Sequence, residues 1–333
     1  MRYGIELGYK SKLTTRETIE GLSIIKENFS DELKKHFNLI SVEAAVVTDK
    51  FSWLNDDYQG TLRTIDFDSD KGNLFGEIIQ ANNKWRRWFL YKNKIKDNNY
   101  GILTCSNLIQ RDAIISNVNS IVQTEIGFEI IEEKKDIKKI QEIMVKIYSI
   151  ILKIYKNIKK SFPILKGELF SQNLIFISIS KLKALYPLLN LNECLSKFSR
   201  ENGSFVLMST GNNETNKIPN NFSQDVFDYS TYMQLFIYSP ASENAIELVY
   251  LAYTVNHDSL QIQNSKLKEN YKTETEYNHL ITIEELPLTI SCGLNLARLS
   301  MTILQKQHIG EVQHSVWQKK FLDYCEANEI TIL

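Results

Sequence analysis

Apolar positions along the first part of the chain recur at helical spacing. Residues 15–36 (TRETIEGLSIIKENFSDELKKH) set Ile19, Leu22, Ile25, Phe29 and Leu33 three or four apart, which predicts an amphipathic helix. Thr14 or Thr15 can cap it, and Glu17 stands close to the capping-box position. LISVEAAVV at 39–47 reads as a strand, and short strands TLRTIDF and NLFGEII follow. The second leads into NKWRRWFLY, a basic, aromatic run with two readings. It is either a helix that buries Trp85 and Phe89 under a solvated basic face, or an anion-binding segment.

The clearest helix lies at 137–158, where Ile137, Ile140, Met144, Ile147, Ile151, Ile154 and Ile158 alternate by three and four with lysines between. Such a stripe is expected to pack on the protein's own sheet. Further on, LIFISIS, helices in KLKALYPLLN and LNECLSKFS, and a strand SFVLMS form a β-α-α-β passage. Residues 209–224 are polar and turn-rich, which predicts a surface loop. MQLFIYSP and NAIELVYLAYTV, split by a short turn, predict an antiparallel hairpin. Last, LTISCGLNLAR at 288–298 reads as a strand, a glycine-poor turn and a helix carrying Arg298 near its start. Helices early and a mainly antiparallel sheet late give an α+β fold class.

Composition narrows the function classes. The 333 residues carry 39 basic and 40 acidic side chains, for a net charge of −1, so broad phosphate-backbone binding is not expected. Hydrophobic content of 43% and charged content of 24% suit a soluble globular protein. The longest apolar runs, such as LIFISI at 174–179, are too short to cross a bilayer. Only 13 glycines and 5 prolines occur, and no flexible linker divides the chain, so one domain over 1–333 is expected. Cys105, Cys194, Cys292 and Cys325 show no CxxC pairing, and no signal peptide opens the chain. Reduced thiols in a cytoplasmic protein are the expectation.

Familiar catalytic signatures are missing. His36, His257, His279, His308 and His314 lack metal-ligand spacing, and no GxSxG, P-loop or GxGxxG occurs. The carboxylates of interest are Asp56 and Asp57 in WLNDDYQG, Glu125 and Glu129 in IVQTEIGFE, and Glu247 in the hairpin strand AIELVY. Glu247 is the most pointed of these, because a charge between apolar neighbours on a central strand is costly to bury unless it is paired or binds a metal. It can equally face solvent from a half-exposed strand. Arg298 is placed to meet an anion, since the first amides of a helix point outward with positive partial charge. Close ligand approach usually needs glycines, however, and Ser291, Cys292 and Asn295 surround the single Gly293.

PLTISCGLNLARLSMTILQKQHIGEVQHSVW resembles the C-terminal arginine-bearing motif of ammonia-dependent asparagine synthetase A (aspartate–ammonia ligase), followed by its HIG-x-VQ-x-x-VW run. This family is a relative of the class II aminoacyl-tRNA synthetase catalytic domain. TIEGLSIIKENFSDELKKHFNLISVEAAVV resembles its dimer-interface helix and strand, and IIQANNKWRRW its basic segment ahead of the second motif. SKLKALYPLLNLNE also has a counterpart, and the likeness runs from about residue 15 to 317. The resemblance implies an antiparallel sheet flanked by helices, a homodimer, ATP and Mg2+ as cofactors, and an aspartyl-adenylate that ammonia converts to the amide.

Site residues implied by the resemblance match unevenly. Arg298 falls on the arginine that contacts ATP phosphate, Glu247 on a carboxylate that helps hold magnesium, and Asp56 on an acid of an early active-site loop. Lys84 and Arg86 fall on two lysines of a K-W-K segment. Gln234 stands where a second metal-side aspartate is expected. Ile109 stands at the second-motif arginine, with Arg111 nearby as a substitute if the loop is shifted. In the amino-acid cage, Thr124 and Gly127 replace two aspartates, Glu125 takes a glutamine position, and Ser230 an aspartate position. Thr254 sits where an arginine holds the substrate carboxylate, while Ser291, Cys292 and Asn295 replace three glycines.

Removing one partner of a buried charge pair costs roughly 2–5 kcal/mol. Losing two such charges then costs about three to seven decades of affinity for aspartate. Two readings stay open. In one, the protein is an ATP-dependent carbon–nitrogen ligase that forms an amide through an acyl-adenylate on another carboxylic or amino acid, using Lys84, Arg86, Asp56, Glu125, Arg298, Arg111 and Glu247. In the other, it is a catalytically inactive paralogue that regulates or scaffolds a protein partner. Transfer-RNA aminoacylation is set aside, because no anticodon-binding domain and no basic surplus are present, and no membrane partner is expected. The interface motif that the resemblance implies is altered at one position, since Ala45 replaces a usual proline.

Overall fold

The computed structural model describes residues 2–209, 222–266 and 274–333, so most of the 209–224 loop lies outside the described residues. Helix α1 (Thr15–Phe37) begins at a complete capping box. Thr14 accepts from the Glu17 amide, the Glu17 carboxylate accepts from the Thr14 amide, and Asn38 ends the helix in the left-handed conformation. The expected 39–47 strand is broken in two. Strand β1 (Leu39–Ser41) joins the main sheet, whereas β2 (Val47–Asp49) crosses into a small antiparallel sheet with β3 (Ile65–Ser69) and β4 (Leu74–Ile78). Helix α2 (Asn83–Lys92) then precedes the long strands β5 (Gly101–Ile109) and β6 (Val122–Ile131).

Helix α3 (Ile137–Ser161) contains the long apolar stripe, and every predicted stripe residue except Ile137 is buried. Next come β7 (Ile175–Ser178), α4 (Ile179–Leu185), α5 (Leu191–Asn202) and β8 (Phe205–Met208), the expected β-α-α-β passage. Strands β9 (Met233–Ser239) and β10 (Asn244–Tyr253) pair antiparallel as a hairpin. After α6 (His257–Asn264) and α7 (Glu276–Thr282), β11 (Thr289–Asn295) runs straight into α8 (Leu296–Ile303), and α9 (Lys319–Ala327) closes the chain. No turn separates β11 from α8, contrary to the sequence reading: Asn295 is both the last strand residue and the helix cap.

The main sheet has eight strands in the order β1-β5-β6-β11-β10-β9-β8-β7. Its six inner strands are antiparallel, and a parallel strand lies at each edge. Because side chains alternate across a strand, the central strands sort their residues to two faces. Ile126, Phe128 and Ile130 of β6 and Ile290, Cys292 and Leu294 of β11 join α1, α3 and α8 in the largest apolar cluster. Glu125, Gly127, Glu129, Ser291, Gly293 and Asn295 occupy the alternate positions. The register pairs Gly127 with Gly293, and Glu125 with Asn295. One face is therefore core, and the other carries the chemistry.

Candidate functional site

A break in the alternation assembles this second face. Glu247 pairs with Phe236 and Val249 with Leu235, so Leu248 is the extra residue of a β-bulge. The bulge shifts the parity of β10, and both Glu247 and Tyr250 line the same cleft, of about 510 Å3. Strict alternation from the sequence puts these two residues on opposite faces. Gln234, Gly293, Asn295 and Arg298 line the cleft with them.

The basic segment 83–92 is a helix, yet its cationic face is not solvated. Arg86 is fully buried, Arg87 and Lys84 nearly so, and Trp85 is buried while Phe89 is half-buried. A buried guanidinium requires fixed counter-charges. Arg86 Nη1 donates to Glu125 Oε1 at 3.0 Å and Nε to Glu129 Oε2 at 3.4 Å, and Nη2 donates to the Cys292 carbonyl at 3.2 Å. The second oxygen of Glu125 accepts from the Tyr250 hydroxyl at 2.8 Å, and the second oxygen of Glu129 from Thr289 at 2.6 Å. Asn83 donates to both Tyr250 (3.1 Å) and Ser291 (3.0 Å). Burial opposes the charge on Arg86, but Glu125 and then Glu129 hold its pKa above the usual arginine value. Burial raises the Glu129 carboxyl, and Arg86 works against that rise.

Two glycines make this arrangement possible. A Cβ on Gly127 would sit 2.0 Å from Arg86 Nη1, and one on Gly293 would sit 2.2 Å from the Tyr250 ring. The guanidinium thus fills the space that a side chain at 127 would take. Where the resemblance implies an aspartate at 127, this chain has an internal arginine against bare backbone. At Thr254, where an arginine is implied, the hydroxyl bonds to Thr289 across the strands, 3.0 Å away. Ser230 hydrogen-bonds Asp228 at 2.6 Å, and Asp228 is taken by Lys135 at 2.5 Å. Thr124 bonds to Asn107 and Gln313.

Lys84 and Asp56 meet in a second buried group. Lys84 Nζ lies 2.7 Å from Asp225 and 3.9 Å from Asp56, and 5.4 Å above the Tyr277 ring. The two carboxylates keep the buried ammonium charged against its desolvation. Burial pushes Asp56 up to about 6 despite Lys84. Asp225 is missed by sequence reasoning, because no periodicity or motif marks it.

Arg298 reaches the cleft from α8. Its Nε donates to the Val118 carbonyl (3.2 Å) and its Nη1 to the Glu247 carbonyl (3.0 Å), while Nη2 bonds Asn119. One N–H on each terminal nitrogen remains for an anion. The helix end itself is less available, because the Asn295 side chain accepts from the Arg298 amide at 2.9 Å. Arg111 does not join Arg298: its guanidinium bonds the Thr64 carbonyl at the exposed surface, at 3.3 Å. The structure therefore brings Arg86 and Glu125 together, Lys84 and Asp56 together, and Arg298 and Glu247 together, and leaves Arg111 outside.

Glu247 is half-buried, and desolvation lifts its pKa to about 7, with Arg298 opposing. Gln234 Nε2 donates to Glu247 Oε2 at 2.8 Å, and Gln234 Oε1 is buried without a hydrogen-bond partner among the described residues. A carboxylate and an amide oxygen make two hard donors. That suits a magnesium ion that keeps most of its ligands on phosphate and water, not a resident ion in an all-protein cage. Among the described residues no group of three or more His, Cys, Asp or Glu is placed to hold a metal.

A sequence profile of the family described as aspartate–ammonia ligase matches residues 16–329. The chain belongs to this family. Its curated relatives include the aspartate–ammonia ligase of Clostridium perfringens, 29% identical over 99% of this chain and 98% of that one. The aspartate–ammonia ligase of Bacillus cereus is 28% identical over 97% and 99%. Among solved structures, asparaginyl-tRNA synthetase from Pyrococcus horikoshii complexed with asparaginyl-adenylate aligns with a TM-score of 0.64 at 9% identity, over 90% of this chain and 68% of that one. The Entamoeba histolytica asparaginyl-tRNA synthetase aligns with a TM-score of 0.61 over 90% and 67%, at 11% identity. The fold is that of a class II aminoacyl-tRNA synthetase catalytic domain. Among the described residues of this ligase-family member, no helix is long and apolar enough to cross a membrane.

Proposed function

We propose that this member of the aspartate–ammonia ligase family is an ATP-dependent ligase that activates a carboxylic acid other than aspartate and passes the acyl group to a nitrogen nucleophile. The observation that carries this reading is the closed Arg86–Glu125–Glu129–Tyr250 network. Both oxygens of Glu125 and of Glu129 are engaged internally, and Arg86 stands over Gly127. A substrate ammonium group meets no unengaged carboxylate there, and desolvating it without a partner is costly. ATP would supply the adenylyl group that turns the acid's hydroxyl into a leaving group. Arg298 is the cation that meets phosphate, and Glu247 with Gln234 would hold its magnesium. Tyr250 and Phe222 line the cleft where the acyl group would lie.

The test is ATP–pyrophosphate exchange. No exchange is expected with aspartate, and exchange is expected with at least one acid lacking an α-ammonium group. Arg298→Ala should remove magnesium-dependent ATP binding, and unchanged affinity would sink the assignment.

A second reading, an inactive regulatory or scaffolding subunit, is favoured by one specific observation. Arg298 is tied to Val118, Glu247 and Asn119, and no second arginine joins it, since Ile109 takes one position and Arg111 points elsewhere. A pulldown recovering a stoichiometric partner, with no ATP binding, would decide for it. Under both readings we propose a homodimer. Ile19 of α1, Ile40 of β1 and the following Val46 expose apolar side chains along one region of chain, at 54%, 50% and 66%. Light scattering showing a monomer would refute it.

A further inference from the structure

The lining of the cleft combines polar groups, Arg298, Asn119, Gln110, Gln234 and Glu247, with a set of aromatic rings, Tyr58, Phe222, Tyr232 and Tyr250. Phe222 bridges the aromatic group, its ring centroid 5.0 Å from Tyr58 and 5.1 Å from Tyr250, while Tyr232 stacks parallel to Tyr250 at 6.4 Å. Leu62, half-buried, adds an aliphatic wall.

Two of the three ring hydroxyls are already engaged. Gln110 donates to Tyr58 at 2.9 Å, and Tyr250 donates to Glu125 at 2.8 Å. What the rings offer a ligand is therefore face and edge, not charge. Glu247 lines the cleft beside these rings, while Glu125 and Arg86 are paired with each other behind Tyr250.

We propose that the aromatic end of the cleft is the acyl subsite and that its substrate is an aryl-bearing carboxylic acid of the phenylacetate or phenylpropanoate kind. The ring would rest against Phe222, Tyr58 and Tyr232, and the carboxylate would point toward Arg298. This deepens the ligase reading and rests on it for the chemistry, but not for the binding. Acyl transfer balances without any further reactant: the carboxylate oxygen takes the adenylyl group with release of pyrophosphate, the amine then displaces AMP, and its proton leaves to solvent.

Binding and chemistry are tested separately on the full chain. Saturation-transfer NMR with phenylacetate and with aspartate reads the subsite, and ATP–pyrophosphate exchange with the same acids reads activation. Phenylacetate should bind and aspartate should not. Phe222→Ala should weaken phenylacetate about tenfold, the equivalent of ~1.4 kcal/mol. Leu62→Trp, which fills the space from a half-buried position, should abolish its binding while thermal melting shows both variants folded. Aspartate binding in place of phenylacetate, or phenylacetate binding indifferent to both substitutions, overturns the proposal. Phenylacetate binding without any exchange leaves the subsite and removes the ligase reading. Exchange with aspartate alone removes both the subsite and the reading that the acid is not aspartate.

Discussion

The two faces of the central sheet are built from the same strands and hold by different means. On the helix-covered face, Ile126, Phe128, Ile290 and Leu294 pack with the α3 stripe, and stability comes from apolar area and fit. On the open face, Arg86, Glu125, Glu129 and Tyr250 hold by mutual pairing, which removes little net free energy but fixes one arrangement. The covered face tolerates conservative change one residue at a time. The open face does not: Arg86 requires Gly127 bare, Tyr250 requires Gly293 bare, and each carboxylate requires its donor. Such interlocking leaves each charge of the Arg86–Glu125–Glu129 network paired.

The comparison can be broken most directly at Gly127. Gly127→Asp should yield little or no folded protein, because its Cβ alone lands 2.0 Å from Arg86 on a central strand. A soluble variant with an unchanged melting curve would mean that the open face is loose. Arg86→Met leaves Glu125 and Glu129 buried without their cation, and should cost about 3–5 kcal/mol by denaturant unfolding. Adding Glu125→Gln should recover part of that loss. On the covered face, Ile151→Ala removes fully buried apolar volume and should cost about 2–5 kcal/mol with no effect on ligand binding, which separates the two faces.

Smaller effects sharpen the picture. Glu247 has its folded pKa raised to about 7, so its contribution to stability is fully present below the ordinary glutamate pKa and lost as pH rises through 7. Glu247→Gln should therefore flatten the fall in melting temperature between about pH 4.5 and 7. Asn295→Gly exchanges one acceptable cap for another and should cost only a few tenths of a kcal/mol. It frees the Arg298 amide, so phosphate affinity should rise, if only slightly.

Much of the fold was legible because period and capping express it directly. The α1 cap, the α3 stripe, the β9–β10 hairpin and the strand before Arg298 all follow from spacing. Where the chain departs from those expectations, tertiary structure decides. Residues 39–47 look continuous, but Val42–Val46 leave one sheet for another. Strands β5 and β6, the latter carrying Glu125 and Glu129, give no clear period, because buried polar positions interrupt the apolar pattern. The site was legible only in parts. The family motif pointed to Arg298, Lys84 and Arg86, but a basic helix looks solvated until its counter-charges, 39 and 43 residues away from Arg86 in sequence, are located. The bulge at Leu248, which turns Glu247 and Tyr250 to the same cleft, leaves no sequence signal at all.

The central claim is that this site has closed to aspartate and kept a place for another acid. ATP–pyrophosphate exchange measured side by side with aspartate and with phenylacetate tests it most directly. The account predicts exchange with the aryl acid and none with aspartate. Robust aspartate-dependent exchange would contradict it, because Arg86 and Tyr250 would then have to yield the space they fill.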